Sequence, residues 1–428
     1  MTAPAEPPAH GVHDAADGDG PGGGSPIAWG AYLGVSWTWC IGMFLPVLLV
    51  RDYGLWGFVV FAVPNCLGAA AMGWALRDAG ASRRFVEHNA GAVYAFSAIT
   101  IAFHVYWLTW LATFILPMTG SGYPGVVPAL VGALGLALWM TPDRSDTHRL
   151  ASIALWAASG ALLVAFLLTG GAAPGGPIEP PTRDFFETTE PMGRDLLALA
   201  PVCVFGFALC PYLDATFHRA RQGTTPAGAR VAFGTGFLVF FASMIVLTLV
   251  YAGPFIASFD RDISTVPGLA PWAAALLMAH LACQLVFTCR VHQHASRPLE
   301  QRVPGVLAGI GRALPVLAAA LGVSTLFLPA LLDMIAGELF YRCFIAAYGL
   351  VLPAYVWICA IPTRDGHSGL TGPRGRFKAT MLALSVLIAT PMYFIGYILL
   401  EEWWLWPGLG VLLLARLPVT LRARKGER

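Results

Sequence analysis

Charge is what this sequence has least of. Asp, Glu, Lys and Arg together make up 12% of its 428 residues, about half the share carried by a soluble domain. So few ionised groups cannot solvate the surface of a water-soluble fold of this length. The net charge of +2 is too small to argue for a nucleic-acid partner. The first 26 residues contain no Lys or Arg, so they lack the basic start of a signal peptide; rich in Gly, Pro, Ala and Asp, residues 1–26 read as a disordered tail. Cysteine pairs are missing as well. Cys40, Cys66, Cys203, Cys210, Cys283, Cys289, Cys343 and Cys359 all fall inside apolar stretches, and none has the spacing of a zinc ligand pair. They read as small core residues. No polar stretch is long enough for a kinase, a nucleotide-binding domain or a catalytic head. What fills the chain instead is apolar: 57% of residues, with a mean hydropathy of +0.66.

A hydrocarbon core about 30 Å thick demands runs of roughly 17–25 apolar residues. Such runs predict helices near 27–50, 55–76, 90–117, 124–141, 149–170, 194–218, 229–252, 268–290, 310–332, 337–361, 377–399 and 403–418. The expected fold class is therefore all-α, a polytopic membrane protein of about twelve transmembrane helices. The split within 310–361 stays open. Twenty-one of the 26 basic residues fall on alternate connections and the C-terminal tail. The other face holds only Arg51, Arg183, Arg194 and Arg261, and Arg342 lies within a span. By the positive-inside rule both termini are expected in the cytoplasm, the lipid partner being the cell (inner) membrane. The Pro- and Gly-rich stretch near 170–193 divides five spans from seven.

Spans one and six differ from the rest. Span one carries Gly30, Gly34, Gly42 and Pro46 around Ser36-Trp37-Thr38-Trp39-Cys40; span six carries Pro201, Gly206 and Pro211 around Phe205, Phe207 and Cys210. Pro removes an amide donor and Gly loosens the helix, so either can open a turn. In lipid the freed groups must face a cavity, a ligand or shielding protein. Interrupted spans at matching places in two halves point to a transporter's substrate site; ordinary packing kinks are the alternative. Trp37 and Trp39 lie too deep for an interfacial aromatic belt. With Phe205 and Phe207 they would give a cavity flat walls suited to a solute with an apolar, aromatic or cationic part.

Broken helices one and six in a 5+5 inverted repeat, followed by two more spans, resemble the leucine-transporter fold of the amino acid–polyamine–cation superfamily. In layout the chain is most similar to sodium:solute and nucleobase–cation symporters. The resemblance implies repeat one over 27–170, repeat two over 194–361 and added helices over 377–418, all within a transporter domain of 27–418, then a basic cytoplasmic tail over 419–428. It also places Cys210-Pro211-Tyr212-Leu213-Asp214-Ala215-Thr216-Phe217-His218-Arg219 where such families carry substrate-facing and gating residues. Spans three and eight would line the site, bringing in His104 and His280. Trp37, Thr38, Trp39, Phe205, Phe207, Cys210 and Tyr212 are the other expected substrate contacts.

Ionisable groups inside spans are functional candidates by default. Asp214 and His218, at i and i+4, read as a proton relay or an inner gate, or else as an interfacial pair beside Arg219 and Arg221. His104 and His280 read as coupling or substrate-contact residues, or as neutral histidines bonded to backbone carbonyls. Thr288 stands where sodium-coupled members of the resembled fold place hydroxyl ligands, but its neighbour is Cys289, and a thiol suits a hard cation poorly. Glu338 and Arg342 read as an intrahelical salt bridge, or as an outer gate with Arg51 and Asp52. His292 and His294 fall in what reads as a cytoplasmic loop, with i, i+2 spacing that shares no helical face, so no metal site is expected. Apart from Na⁺ or H⁺ as coupling ion, no cofactor is called for. The expected function is a cation-coupled secondary transporter of a small organic solute, not an enzyme. A membrane-embedded transferase and a transporter-like sensor are the competing readings. Substrate, coupling ion, direction and assembly into homo-oligomers stay open.

Overall fold

The computed structural model describes residues 24–118, 144–169, 192–260, 271–332, 334–363, 366 and 368–425. The expected tail over 1–23, the span expected at 124–141 and the connection at 170–191 lie outside them. The described residues are mostly helical, with one isolated bridge, Leu331 to Met334, and no strand among them. Nine helices among them are long and apolar enough to cross a membrane. Large apolar side chains such as Val306, Val316, Leu387 and Leu414 stand exposed on the outer faces of these helices. Exposed rows of that kind need a lipid solvent.

In chain order, α1 (Pro26–Trp37) stops at Thr38-Trp39 and α2 (Cys40–Ala75) resumes at once. Within α2 the direction changes at Gly54, whose φ of 62° and ψ of −159° are open to glycine at little cost. The segments 40–53 and 55–75 are thus separate rods, as the two expected spans required. A short helix, α3 (Ala79–His88), starts on an Asp78 cap whose carboxylate accepts the Ala81 N–H at 2.7 Å. Then come α4 (Ala90–Met118) and α5 (Ser145–Thr169). Next, α6 (Met192–Leu209) tightens into a 3₁₀ turn over Cys210–Leu213, stops at Asp214, and gives way to α7 (Ala215–Gln222). Both breaks anticipated in the sequence are therefore present.

Beyond them, α8 (Pro226–Thr235) runs through a π turn at Gly236–Phe241 into α9 (Ala242–Asp260). The chain continues with α10 (Pro271–Glu300), α11 (Gly305–Ser324), α12 (Ala336–Tyr355), α13 (Gly372–Tyr393), α14 (Leu405–Leu414) and α15 (Arg416–Lys425). One boundary matters for function. The span expected to end at 290 is a helix to Glu300, which corrects the reading of 292–294 as a loop: His292 and His294 are helical.

Helix α1 sits at the centre, packed on α5, α8, α10 and the π turn, while α2 packs on α6, α8 and α9. Lipid tails are as apolar as leucine, so close backbone approach, not hydrophobic burial, holds such helices together. Gly30 and Gly34 supply that approach. A Cβ on Gly34 would lie 2.5 Å from the Gly236 carbonyl oxygen and 2.8 Å from the Phe240 Cβ. At the far end of α2, fully buried Arg221 of α7 donates to the carbonyls of Leu76 at 2.6 Å, Arg77 at 2.8 Å and Thr224 at 2.9 Å. It supplies the donors that a helix C-terminus lacks. All eight cysteines are unpaired thiols, buried or half-buried.

The α1 contact can be tested through those thiols. Gly34→Val should cost about 1–3 kcal/mol by overpacking and lower the temperature at which a thiol-reactive dye labels the purified protein. Gly234→Ala, where nothing lies within 4 Å of an added Cβ, should leave that temperature unchanged or raise it.

Candidate functional site

Two interruptions free backbone groups in the middle of the molecule, and the structure shows where each goes. At the end of α1, the Trp39 indole N–H donates to the Ser36 carbonyl at 2.6 Å. The Trp39 amide donates to the Trp37 carbonyl at 2.8 Å. The Gln284 side-chain amide of α10 donates to the Val35 carbonyl at 2.5 Å and the Thr38 carbonyl at 3.3 Å. Thr38 turns its own hydroxyl back to the Gly34 carbonyl at 2.7 Å. At the second break, Asp214 Oδ1 accepts both the amide N–H and the hydroxyl of Thr216 at 2.7 Å, capping α7. The breaks meet where the Ser36 and Thr216 hydroxyls lie 3.3 Å apart.

Trp39 is the hub of what surrounds them. Its ring lies 5.3 Å from Phe96, 5.4 Å from His292, 5.9 Å from Tyr348 and 6.0 Å from His104, mostly in edge-on contacts. His292 and Asp214 are both fully buried, and their Nε2 and Oδ2 face each other at 3.9 Å. His292 Nδ1 lies 3.3 Å from the Ser97 hydroxyl, and His104 Nδ1 donates to the Thr100 carbonyl at 2.6 Å. Around this centre, Thr100 Oγ1, His104 Nε2, Asp214 Oδ2, Gln284 Oε1, Thr288 Oγ1, His292 Nε2 and the Tyr348 hydroxyl are buried without a hydrogen-bond partner among the described residues. One unsatisfied buried polar group is a cost to be explained. Here seven come from α4, α10, α12 and the break between α6 and α7.

The two ends of this site differ. At one end Arg51 and Asp52, on the first rod of α2, meet Glu338 and Arg342 of α12. Arg51 donates two hydrogen bonds to Glu338, one of them at 2.9 Å, and another to Asp52 at 3.0 Å. Arg342 donates to Glu338 at 2.8 Å and also to Asp52. The Arg342 guanidinium lies over the Tyr397 ring, 5.5 Å from its centre, and beside it Tyr53 donates to Glu402. The four charges thus join α2 to α12 and close that end. The Glu338–Arg342 contact and the bonds to Arg51 and Asp52, the two readings of this pair, coexist. Toward the other end, a cavity of about 360 Å³ lined by Arg83, Glu87, Ala215, His218, Arg219 and Arg302 comes within one residue of Asp214.

The expected site residues divide accordingly. Trp39, His104, Asp214 and Thr288 belong to the centre, and Cys210 reaches it from beside Tyr348. Trp37 packs directly on Trp39, ring centres 4.6 Å apart, while donating to Asn65 of the second rod of α2 at 2.7 Å and packing on Phe217. Phe207 packs on Phe61, and Phe205 stands 6.4 Å from Trp357, both away from Trp39. Tyr212 packs against Phe85, and His280 faces Ser159 of α5 at 3.3 Å. His218 does not pair with Asp214. It holds α3 in place, with Nδ1 2.9 Å from the Ser82 hydroxyl, Nε2 2.9 Å from the Tyr212 carbonyl and its ring stacked on Phe85.

The residues missed in the sequence are Phe96, Ser97, Thr100, Gln284, His292 and Tyr348. Gln284, Thr288 and His292 sit at i, i+4 and i+8 on one face of α10, a polar stripe that extending the helix past Arg290 would have shown. No known family model matches the chain, and no curated protein matches it in sequence.

The four-charge closure makes a sharp prediction. Arg342→Met leaves two buried carboxylates short of a partner and should cost about 3–5 kcal/mol, read as a lower temperature of thiol labelling. Adding Asp52→Asn should recover part of that loss; strictly additive losses would show that the two residues are not coupled.

Proposed function

We propose that this protein is a secondary active transporter that moves a small organic solute by alternating access, with its substrate site between the two helix breaks. The carrying observation is the ring of buried, unpartnered polar groups around Trp39, Asp214 and His292, where two interrupted helices touch through Ser36 and Thr216. Irregular backbone at membrane depth needs a purpose, and interrupted helices at one locus are how transporters present backbone groups and charges to a solute. The resemblance to the leucine-transporter fold, with twelve spans and a 5+5 repeat, fits this reading. A membrane enzyme would need reactive groups open to one face, whereas here they lie at the centre.

The asymmetry of the ends names a state. The closure of Arg51, Asp52, Glu338 and Arg342 serves as the outer gate, and the Arg-lined cavity beside Ala215 serves as an inner vestibule facing the cytoplasm, as the positive-inside rule orients it. The solute is an organic molecule of modest size with an apolar part. Next to the centre, beside Cys210 and Tyr348, lies an apolar cavity of about 90 Å³ walled by Ile41, Leu45, Phe207 and Tyr393, smaller than the about 150 Å³ that admits benzene.

Purified protein in proteoliposomes, under imposed H⁺ and Na⁺ gradients, should accumulate at least one solute from a panel of amino acids, amines and nucleobases. Asp214→Asn should lower that uptake by about ten-fold or more, equivalent to about 1.4 kcal/mol. No gradient-driven flux across the whole panel would sink the transport reading.

A further inference from the structure

Asp214 divides its work between two oxygens. Oδ1 is committed to the Thr216 amide and hydroxyl, which holds the carboxylate at the start of α7. Oδ2 is fully buried, makes no hydrogen bond, and points to His292 Nε2, which makes none either. No Arg or Lys lies within ion-pairing distance of Asp214 among the described residues. The separation of 3.9 Å is about 1 Å longer than a hydrogen bond. A small turn of the imidazole closes it once one of the two atoms carries a proton.

A second place for a small cation, the break at the end of α1, is already filled by donors. The carbonyls freed at the end of α1 would attract a hard cation, but the Val35 and Thr38 oxygens are bonded by the Gln284 amide and the Ser36 oxygen by the Trp39 indole. Two acceptor carbonyls require the NH₂ end of Gln284 to face them. A donor therefore stands where a metal cation would need a ligand.

We infer that Asp214 and His292 form a buried proton-binding site, and that H⁺ rather than Na⁺ is the ion this protein couples to its solute. The coupling role rests on the transport reading; the proton site does not. A proton that binds Asp214 Oδ2 makes a neutral acid, which donates it in a hydrogen bond to His292 Nε2. Binding neutralises the carboxylate at the centre; in the transport cycle the proton is taken up when the closure of Arg51, Asp52, Glu338 and Arg342 opens, and its release toward the cavity that ends at Ala215 restores the charge, with no other bond changed. The titratable groups facing the pair are His104 of α4, against His292, and Tyr348 of α12, against Asp214; Cys210 and Cys40 lie beside Tyr348, Cys289 beside Cys40, and His218 a turn further along α7. None is a strong acid or a fixed cation.

The full chain in lipid nanodiscs should show, by pH-difference infrared spectroscopy, a carboxylic acid C=O band that titrates. The band should be lost in Asp214→Asn. In His292→Leu, which keeps the Asp214 cap and removes the acceptor, it should persist with its midpoint moved by about one pH unit, as loss of a hydrogen-bond partner requires. Both observations should be the same in sodium chloride and in choline chloride. A band that survives Asp214→Asn, or an unmoved midpoint in folded His292→Leu, overturns the pair; a midpoint that follows Na⁺ concentration overturns the exclusion of sodium. The readout needs no transported solute. A failed flux assay would therefore remove the transport reading and leave the proton site standing, and a failed titration would do the reverse.

Discussion

Everything in this molecule follows from one constraint: a backbone opened inside a membrane must find its hydrogen-bond partners in protein. Two spans open, at Thr38-Trp39 and at Asp214, and the partners are supplied by name. The Trp39 indole and the Gln284 amide satisfy carbonyls at the first break, and Asp214 satisfies an amide at the second. Each is polar and needs room to reach in, so the packing around it cannot be all aliphatic. Glycines bring α1 against the π turn on one side, which leaves the other side to Trp39 and its ring of aromatic and histidine neighbours. Site and scaffold are one arrangement.

That explains which features were legible in the sequence. The breaks were, because Gly and Pro mark them whatever surrounds them, and so were the charges that join α2 to α12, because Arg51, Asp52, Glu338 and Arg342 stand out in apolar runs. The two rods on either side of Gly54 also follow from hydropathy, whereas the split left open within 310–361 falls after Phe327, short of the expected 332, with the next helix starting at Ala336. What surrounds the breaks was harder. Phe205 and Phe207 sit near a break in sequence, but on α6 they face Phe61 and Trp357, because a helix of 3.6 residues per turn sends neighbours to different sides. His218 lies one turn from Asp214, yet its two nitrogens are held by Ser82 and Tyr212.

His292 was lost for a different reason. Arg290 marks a membrane boundary by charge, and a helix does not end where the membrane does. Helix α10 continues for ten residues past Arg290, and its buried face keeps the period of four that begins at Gln284. The stripe of Gln284, Thr288 and His292 carries three tasks in sequence: it closes the first break, lines the centre, and faces the carboxylate of the second break.

In the proposed transport reading the outer closure is ionic, and its energetics suit a gate better than a strut. An apolar seal must expose hydrocarbon to water each time it opens, at about 25 cal/mol for every Å². Buried ion pairs gain much less on closing, because the attraction between Arg342 and Asp52 is offset by the hydration that both surrender. When the gate opens, that hydration returns. Arg51 is already 19% exposed in the closed arrangement, so water has a place to begin. Closed and open states of such a seal differ by little, which lets a small event at the centre decide between them. Neutralising one carboxylate beside Trp39, or seating a solute against it, is an event of that size.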